Sequence, residues 1–259
     1  MLLVIDVGNT NTVLGIYDGS SLIRDWRIRT ERNTTEDELN VLLSSLLASG
    51  GIERARIERS IISCVVPPVV KILDAFCRRY LGHAPRWVDA RSVGMMPIRY
   101  HNPAEIGADR IVNAIAAYHK YRCSLIAIDF GTATTFDVIS EKGEYLGGAI
   151  SPGIMISAEA LFRKASKLPR VEIFTPPQTA IGKDTISSIQ AGIIFGYAAM
   201  VDGMVRRMKA ELDTSPRVIA TGGLADLMVT VAETIEATEK NLTLEGLRLL
   251  SQRLEDDAS

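Results

Sequence analysis

Residues 2–16, L-L-V-I-D-V-G-N-T-N-T-V-L-G-I, and residues 125–139, L-I-A-I-D-F-G-T-A-T-T-F-D-V-I, carry one pattern twice. Set side by side, Asp6 matches Asp129, Gly8 matches Gly131 and Thr12 matches Thr135. In each copy an apolar run long enough for a buried strand leads into an Asp, a Gly and small hydroxyl or amide residues. A second run, apolar and partly β-branched, follows as a second strand would. Each copy therefore reads as a β-hairpin with glycine and short polar residues at its tip. Such a tip lets backbone N–H groups approach an anion closely, and the Asp offers a carboxylate to a hydrated cation. One such hairpin is ordinary turn chemistry, which Gly and Asn supply routinely. Two copies in matched context, each with an Asp at the strand end, point to a phosphate site.

The rest of the chain fits around these hairpins. Strands are predicted at Leu2–Gly8, Thr12–Tyr17 and Ser21–Arg29, with Asp18-Gly19 as the second turn. Thr35 with Glu38 three residues on forms a capping box opening an amphipathic helix through Leu47, and Gly50-Gly51 ends it. Arg59–Val66 reads as a strand, Pro67-Pro68 opens a helix reaching about Tyr80, and Ile106–Tyr121 is helical. The second half repeats the theme. Strands are expected at Ser124–Asp129, Thr134–Ser140 and Tyr145–Ile150, with a turn near Gly143, and a helix after Pro152-Gly153. A long helical pattern runs from Thr185 to about Leu212, Arg217–Thr221 is a strand running into Gly222-Gly223, and helices with a polar tail end the chain.

Composition narrows the class. The chain has 259 residues, 47% hydrophobic and 23% charged, as in an ordinary globular protein with room for two small domains or one large one. A formal charge of −2 gives no global field favouring nucleic acid or an anionic membrane, and neither is expected as a partner. Cys64, Cys77 and Cys123 lack C-x-x-C or His partners at metal spacing, so reduced thiols and a cytoplasmic location are expected. The first apolar run meets Asp6 after a few residues with no basic flank, unlike a secretory signal. The longest uncharged stretch, Ile186 to Val201, is short for a membrane span and carries Ser187, Ser188 and Gln190. A buried helix or subunit interface is expected there.

Three strands in hairpin order, then helix, strand and helix, duplicated, resemble the ribonuclease-H-like halves of the actin, Hsp70 and sugar-kinase superfamily. The fold class implied is α/β, with two such domains of mixed sheet flanked by helices and an ATP cleft between them. The expected domains are 1–118 and 119–259, with the last helices free to pack back on the first. Ala220-Thr221-Gly222-Gly223 matches that superfamily's third nucleotide signature.

Within it, Asp6-Val7-Gly8-Asn9-Thr10-Asn11, Asn102-Pro103 with Gly107-Ala108-Asp109-Arg110, and Asp129-Phe130-Gly131-Thr132-Ala133-Thr134-Thr135 resemble type III pantothenate kinase. So do Gly147-Gly148-Ala149-Ile150-Ser151-Pro152-Gly153 and Ile181-Gly182-Lys183-Asp184-Thr185. The resemblance runs from residue 2 to the last helices. It implies ATP-dependent phosphorylation of pantothenate, the first step toward coenzyme A.

Phosphoryl transfer of that kind needs an in-line geometry, charge neutralisation and a base for the hydroxyl proton. Asp6 is the candidate to position Mg²⁺, through water. The ATP residues expected are Asp6, Val7, Gly8, Asn9, Thr10, Asn11, Thr12, Val13 and Thr132. Asp109 matches the family's general base, although an Asp near a helix start is often a cap. Arg110 beside it would hold a carboxylate by bidentate contacts. Tyr100, Gly107, Ala108, Asp109, Arg110 and Thr185 match the pantothenate site. Edge-strand packing for Tyr100 and a helix N-cap for Thr185 are the plainer alternatives. In the family the position of Asp129 binds a monovalent cation, K⁺ or NH₄⁺, and the protein is a homodimer, here with the Ile186–Val201 helix at or near the interface. Two other readings remain open: a non-catalytic, nucleotide-binding transcriptional accessory factor on the same fold, and a kinase for another small hydroxylated substrate. His83, His101 and His119 share no ligand spacing, and Asp137, Trp26 and Trp87 are expected to be structural.

Overall fold

The computed structural model describes residues 1–88, 94 and 96–256; the polar tail at 257–259 lies outside the described residues. The chain begins with β1 (Leu2–Val7), β2 (Asn11–Asp18), β3 (Ser21–Arg29), α1 (Glu36–Ser49), β4 (Arg59–Cys64), α2 (Pro67–Phe76), β5 (Arg86–Trp87) and α3 (Ala108–Tyr121). It continues with β6 (Leu125–Phe130), β7 (Ala133–Ile139), β8 (Tyr145–Pro152), α4 (Ile154–Lys164), α5 (Thr185–Ala210), β9 (Arg217–Gly222), α6 (Ala225–Met228), β10 (Ala237–Thr238) and α7 (Leu242–Asp256).

The strands form two five-stranded sheets with one topology. The orders are β3-β2-β1-β4-β5 and, read in the same sense, β8-β7-β6-β9-β10. In each, the first two hairpins are antiparallel and the last two strands add in parallel. This is the mixed-sheet, helix-flanked fold of the actin, Hsp70 and sugar-kinase-like ATPases. Two compact units contain the sheets: Met1–Met96 with His101–Ala116 and Leu242–Ser259, and Pro97–Tyr100 with Ala117–Asn241.

In the first unit, β1 and β2 alternate. Leu3, Ile5, Val7, Leu14 and Ile16 meet Leu43 and Leu47 of α1 and Val69, Leu73 and Phe76 of α2. Burying each side chain of this size stabilises by about 1.5–3 kcal/mol. The predicted capping box opens α1: the Thr35 hydroxyl accepts from Glu38 N–H at 3.2 Å, and Glu38 returns a bond to Thr35 N–H. The opposite face is covered by α7, which packs on β1, β2 and β4. There a Cβ added at Gly246 would lie 2.2 Å from the Val112 carbonyl, so α7 rests backbone-close on α3. In the second unit Ile126, Ile128, Phe130, Phe136 and Val138 pack against Ile194, Ala198, Val201 and Val205 of α5.

Several expected boundaries move. The helix opened by Pro67-Pro68 is α-helical only to Phe76, and Cys77–Leu81 continue as one π-helical turn ending at Gly82 in the left-handed region. At Asn102-Pro103 a 3₁₀ turn (Pro103–Glu105) intervenes, and α3 starts at Ala108 rather than Ile106. The two-residue strands β5 and β10 are additional. α5 spans 26 residues, longer than its uncharged stretch, and among the described residues it alone is long and apolar enough to cross a membrane by length and composition. One side of it carries the second core, and its buried Asp202 accepts from Thr234 N–H at 2.9 Å and Glu233 N–H at 3.1 Å, the arrangement of a core helix.

The pairing register also corrects the alignment of the two hairpins. Val7 faces Thr12 on β2, whereas Phe130, the match of Val7, faces Thr134 on β7. The first tip is one residue longer, so Thr12 corresponds to Thr134, and both are buried. A one-residue slip turns a strand side chain to the opposite face, which is why the difference matters.

Candidate active site

Asp6 ends up one residue from the end of β1, with Val13 across on β2 and Ser63 across on β4. It lies on the opposite side of the sheet from Leu3, Ile5 and Val7, because side chains alternate along a strand. The Ser63 hydroxyl beside it is fully buried and, among the described residues, without a hydrogen-bond partner. The tip that follows is open: Gly8 and Val13 are partly exposed, and Asn9, Thr10 and Asn11 are exposed. Gly8 N–H donates to the Asn11 carbonyl at 3.0 Å, and a Cβ at Gly8 would sit 3.1 Å from that oxygen. Val7 differs from its neighbours. Its side chain is in the core and its carbonyl accepts from Val65 N–H at 3.0 Å.

The same unit holds Gly107-Ala108-Asp109-Arg110. Asp109 is in the first turn of α3, where its Oδ1 accepts from Arg110 N–H at 2.9 Å. A Cβ at Gly107 would fall 2.4 Å from Oδ1 of Asp109, so a larger residue there would displace the carboxylate. Burial pushes the Asp109 carboxyl above its ordinary range, and the Arg110 backbone bond and charge only partly oppose it. Arg110 is itself buried. A carboxylate held basic beside a buried guanidinium can accept a proton from a neighbouring hydroxyl.

In the second unit Asp129 faces Thr135 on β7 and Thr221 on β9. Gly222, at φ +92°, lies so close that a Cβ there would be 2.4 Å from Oδ1 of Asp129. Gly131 and Thr132 form an exposed tip, and Gly153 N–H donates to the Thr132 carbonyl at 3.1 Å. Tyr100 packs over Tyr145, ring centres 6.4 Å apart, and over Gly147. It follows a single parallel bridge from Ile98 to Tyr145 and lies outside the named strands. Tyr145 in turn donates to the buried Asp137 at 2.7 Å, and Thr135 donates to the other oxygen of Asp137 at 3.2 Å. Thr185 is not the cap of α5. Asp184 caps it, accepting from Ser187 N–H at 2.9 Å, which holds its carboxyl below the usual range. Thr185 is the first helical residue and lines an open groove of about 630 Å³ with Leu161, Gly182, Ser188, Ile189 and Gly192.

Among the described residues no three His, Cys, Asp or Glu side chains cluster as a metal cage. A single carboxylate such as Asp6 suits Mg²⁺, which keeps most of its waters and takes the rest of its shell from phosphate oxygens. His83 meets the Ser60 hydroxyl at 3.1 Å, a satisfied structural position, and Trp26 and Trp87 pack against the first core.

The type III pantothenate kinase family profile matches residues 2–207. The chain belongs to that family. The type III pantothenate kinase of Desulfatibacillum aliphaticivorans is 65% identical over 98% of this chain and 99% of its own. That of Desulforapulum autotrophicum is 63% identical over 98% and 97%. Among solved structures, component A of the Acidaminococcus fermentans (R)-2-hydroxyglutaryl-CoA dehydratase superposes with a TM-score of 0.56. It shares 16% identity over 100% of this chain and 99% of its own, a likeness of fold.

Sequence reading found the family motifs and missed what holds them. Gly222 was legible as part of Gly-Gly after a strand, but not as the residue abutting Asp129. Ser63 gave no signal beyond its place in an apolar strand.

Proposed function

We propose that this chain transfers the γ-phosphoryl of ATP to the primary hydroxyl of pantothenate, with Asp109 as general base. Membership of the family gives the reaction class; the Asp109 environment is the observation that supports its role. The hydroxyl proton passes to the Asp109 carboxylate as the oxygen attacks phosphorus, and Arg110 holds the substrate's carboxylate. Gly107 and Ala108 frame that contact in the first unit, and in the second unit Tyr100 and Thr185 are the residues for pantothenate. Asp6 orients the waters of Mg²⁺, which when bound neutralises charge on the phosphates. The residues for ATP are Val7 to Val13 in the first unit, whose tip receives phosphates through backbone N–H groups and short side chains, and Thr132 on the tip of the second. Asp129 binds a monovalent cation, K⁺ or NH₄⁺, whose low charge suits a single carboxylate edged by Thr135, Thr221 and Gly222.

The protein acts as a homodimer through α5 and its surroundings. Gly192 and Gly196 support this: among the described residues a Cβ on either would meet nothing within 4 Å, so neither glycine packs closely against them. Ile156, Phe162, Ile181 and Ile186 are exposed in the same unit. The test is pantothenate-dependent ADP release by purified protein with ATP, Mg²⁺ and K⁺. Folded protein that binds ATP and releases no ADP overturns the kinase reading and favours the accessory-factor alternative.

A further inference from the structure

Thr30, the residue after β3, is bonded into the first hairpin tip at three points. Its hydroxyl donates to the Gly8 carbonyl at 2.7 Å and accepts from the Thr12 hydroxyl at 3.0 Å, and its N–H donates to the Thr10 carbonyl at 3.0 Å. Two residues on, Arg32 donates to Asn9 Oδ1 at 3.1 Å. Gly8, Asn9, Thr10 and Thr12 are thus each tied to Thr30 or Arg32.

The bonds to two carbonyls have a directional consequence. In a trans peptide the C=O and the following N–H point opposite ways, and the described residues contain no cis bond. With the Gly8 and Thr10 carbonyls turned toward Thr30, the N–H groups of Asn9 and Asn11 turn away from it, at exposed positions. Two donors on one side of a short loop make an anion-binding concavity. The second hairpin offers a comparison. Gly153 occupies the corresponding place after β8 and donates its N–H to Thr132, but has no side chain to offer.

We propose that Thr30 is a positioning residue for the nucleotide phosphates: its hydroxyl sets the peptide orientation of the Gly8–Thr12 tip and thereby the ATP affinity. This rests on the reading of that tip as the phosphate site. The test is ATP affinity by titration calorimetry, KM for each substrate and thermal midpoint, for wild type, Thr30→Val and Thr30→Ser. Thr30→Val keeps the shape and removes the hydroxyl. Losing about one net hydrogen bond's preorganisation should raise Kd and KM for ATP by roughly tenfold. KM for pantothenate and the thermal midpoint should stay near wild type, and Thr30→Ser should restore ATP affinity to within about twofold. A Thr30→Val protein with normal ATP affinity overturns the proposal. So does one whose two KM values and thermal midpoint worsen together, which is a structural role alone. Gly8→Val separates the two possible failures. If Gly8→Val loses ATP and Thr30→Val does not, only the role of Thr30 falls; if neither loses it, the tip is not the phosphate site.

Discussion

Replacing Asp109 with Asn asks whether this residue is a base or a cap. Asn keeps the size and an Oδ1 acceptor, so the 2.9 Å bond from Arg110 N–H survives, and with it the first turn of α3. What disappears is basicity. A positioned general base contributes about 10²–10⁴ in rate, or roughly 2.7–5.5 kcal/mol of barrier, so kcat should fall by that factor. Burial raises the Asp109 carboxyl, so the acid limb of kcat/KM should lie above the usual carboxylate range and vanish in the variant. The stability effect has the opposite sign. The folded protein binds this proton more tightly than the unfolded chain, so Asp109 makes stability fall as pH rises through the window above the ordinary carboxylate value. At neutral pH the neutral Asn should therefore melt at or above the wild-type temperature. Coupled ADP-release kinetics across pH, ATP titration and thermal melting read all three effects. A variant with near-normal kcat would remove Asp109 from the chemistry and leave it a cap. A variant that melts well below wild type would refute the desolvation argument.

Exchanging K⁺ for Na⁺ or Li⁺ at constant ionic strength should lower the rate sharply, and Asp129→Asn should blunt that dependence; equal rates in all three ions would give Asp129 another task. Gly222→Ala combines a left-handed backbone, at about 1–2 kcal/mol, with overpacking against Asp129 and Phe130, at about 1–3 kcal/mol. It should lower the melting temperature by several degrees and weaken K⁺ activation, and an unchanged melt would show that β9 yields more easily than the packing suggests. Light scattering at micromolar concentration should give a dimer, and Gly192→Trp should shift it toward monomer; a wild-type monomer would refute the assembly.

Much of this was legible because local signals agreed. Asp18-Gly19, the Thr35–Glu38 box and Pro67-Pro68 each fix a boundary through chemistry within four residues, and the two Asp-Gly hairpins announce their own repetition. What the letters conceal is turn length, edge pairing and the competition between neighbouring residues for one place. Thr12 was paired with Thr135 rather than Thr134 because the two tips differ by one residue, a matter of turn geometry that matching letters conceal. β5 and β10 are two residues each, too short to show a period, and exist because β4 and β9 offer them an open parallel edge. A cap is the plainer alternative for Thr185, but Asp184, one residue earlier, takes that place with a carboxylate that accepts from Ser187 N–H. Thr30 reads as an unremarkable residue after a strand until the hairpin folds back on it.

The place of α7 bears on synthesis. The first sheet leaves the ribosome before the second, yet the helix that covers one of its faces, with Leu244, Leu247 and Leu250 buried, is made after both. At about 5–20 residues per second, translation leaves that sheet half-covered for on the order of ten seconds while residues 117–241 emerge. The second unit has all of its segments available sooner. Nascent chains stalled before Leu242 should then hold a protease-resistant second unit and a sensitive first one, reversing the order in which the two were made.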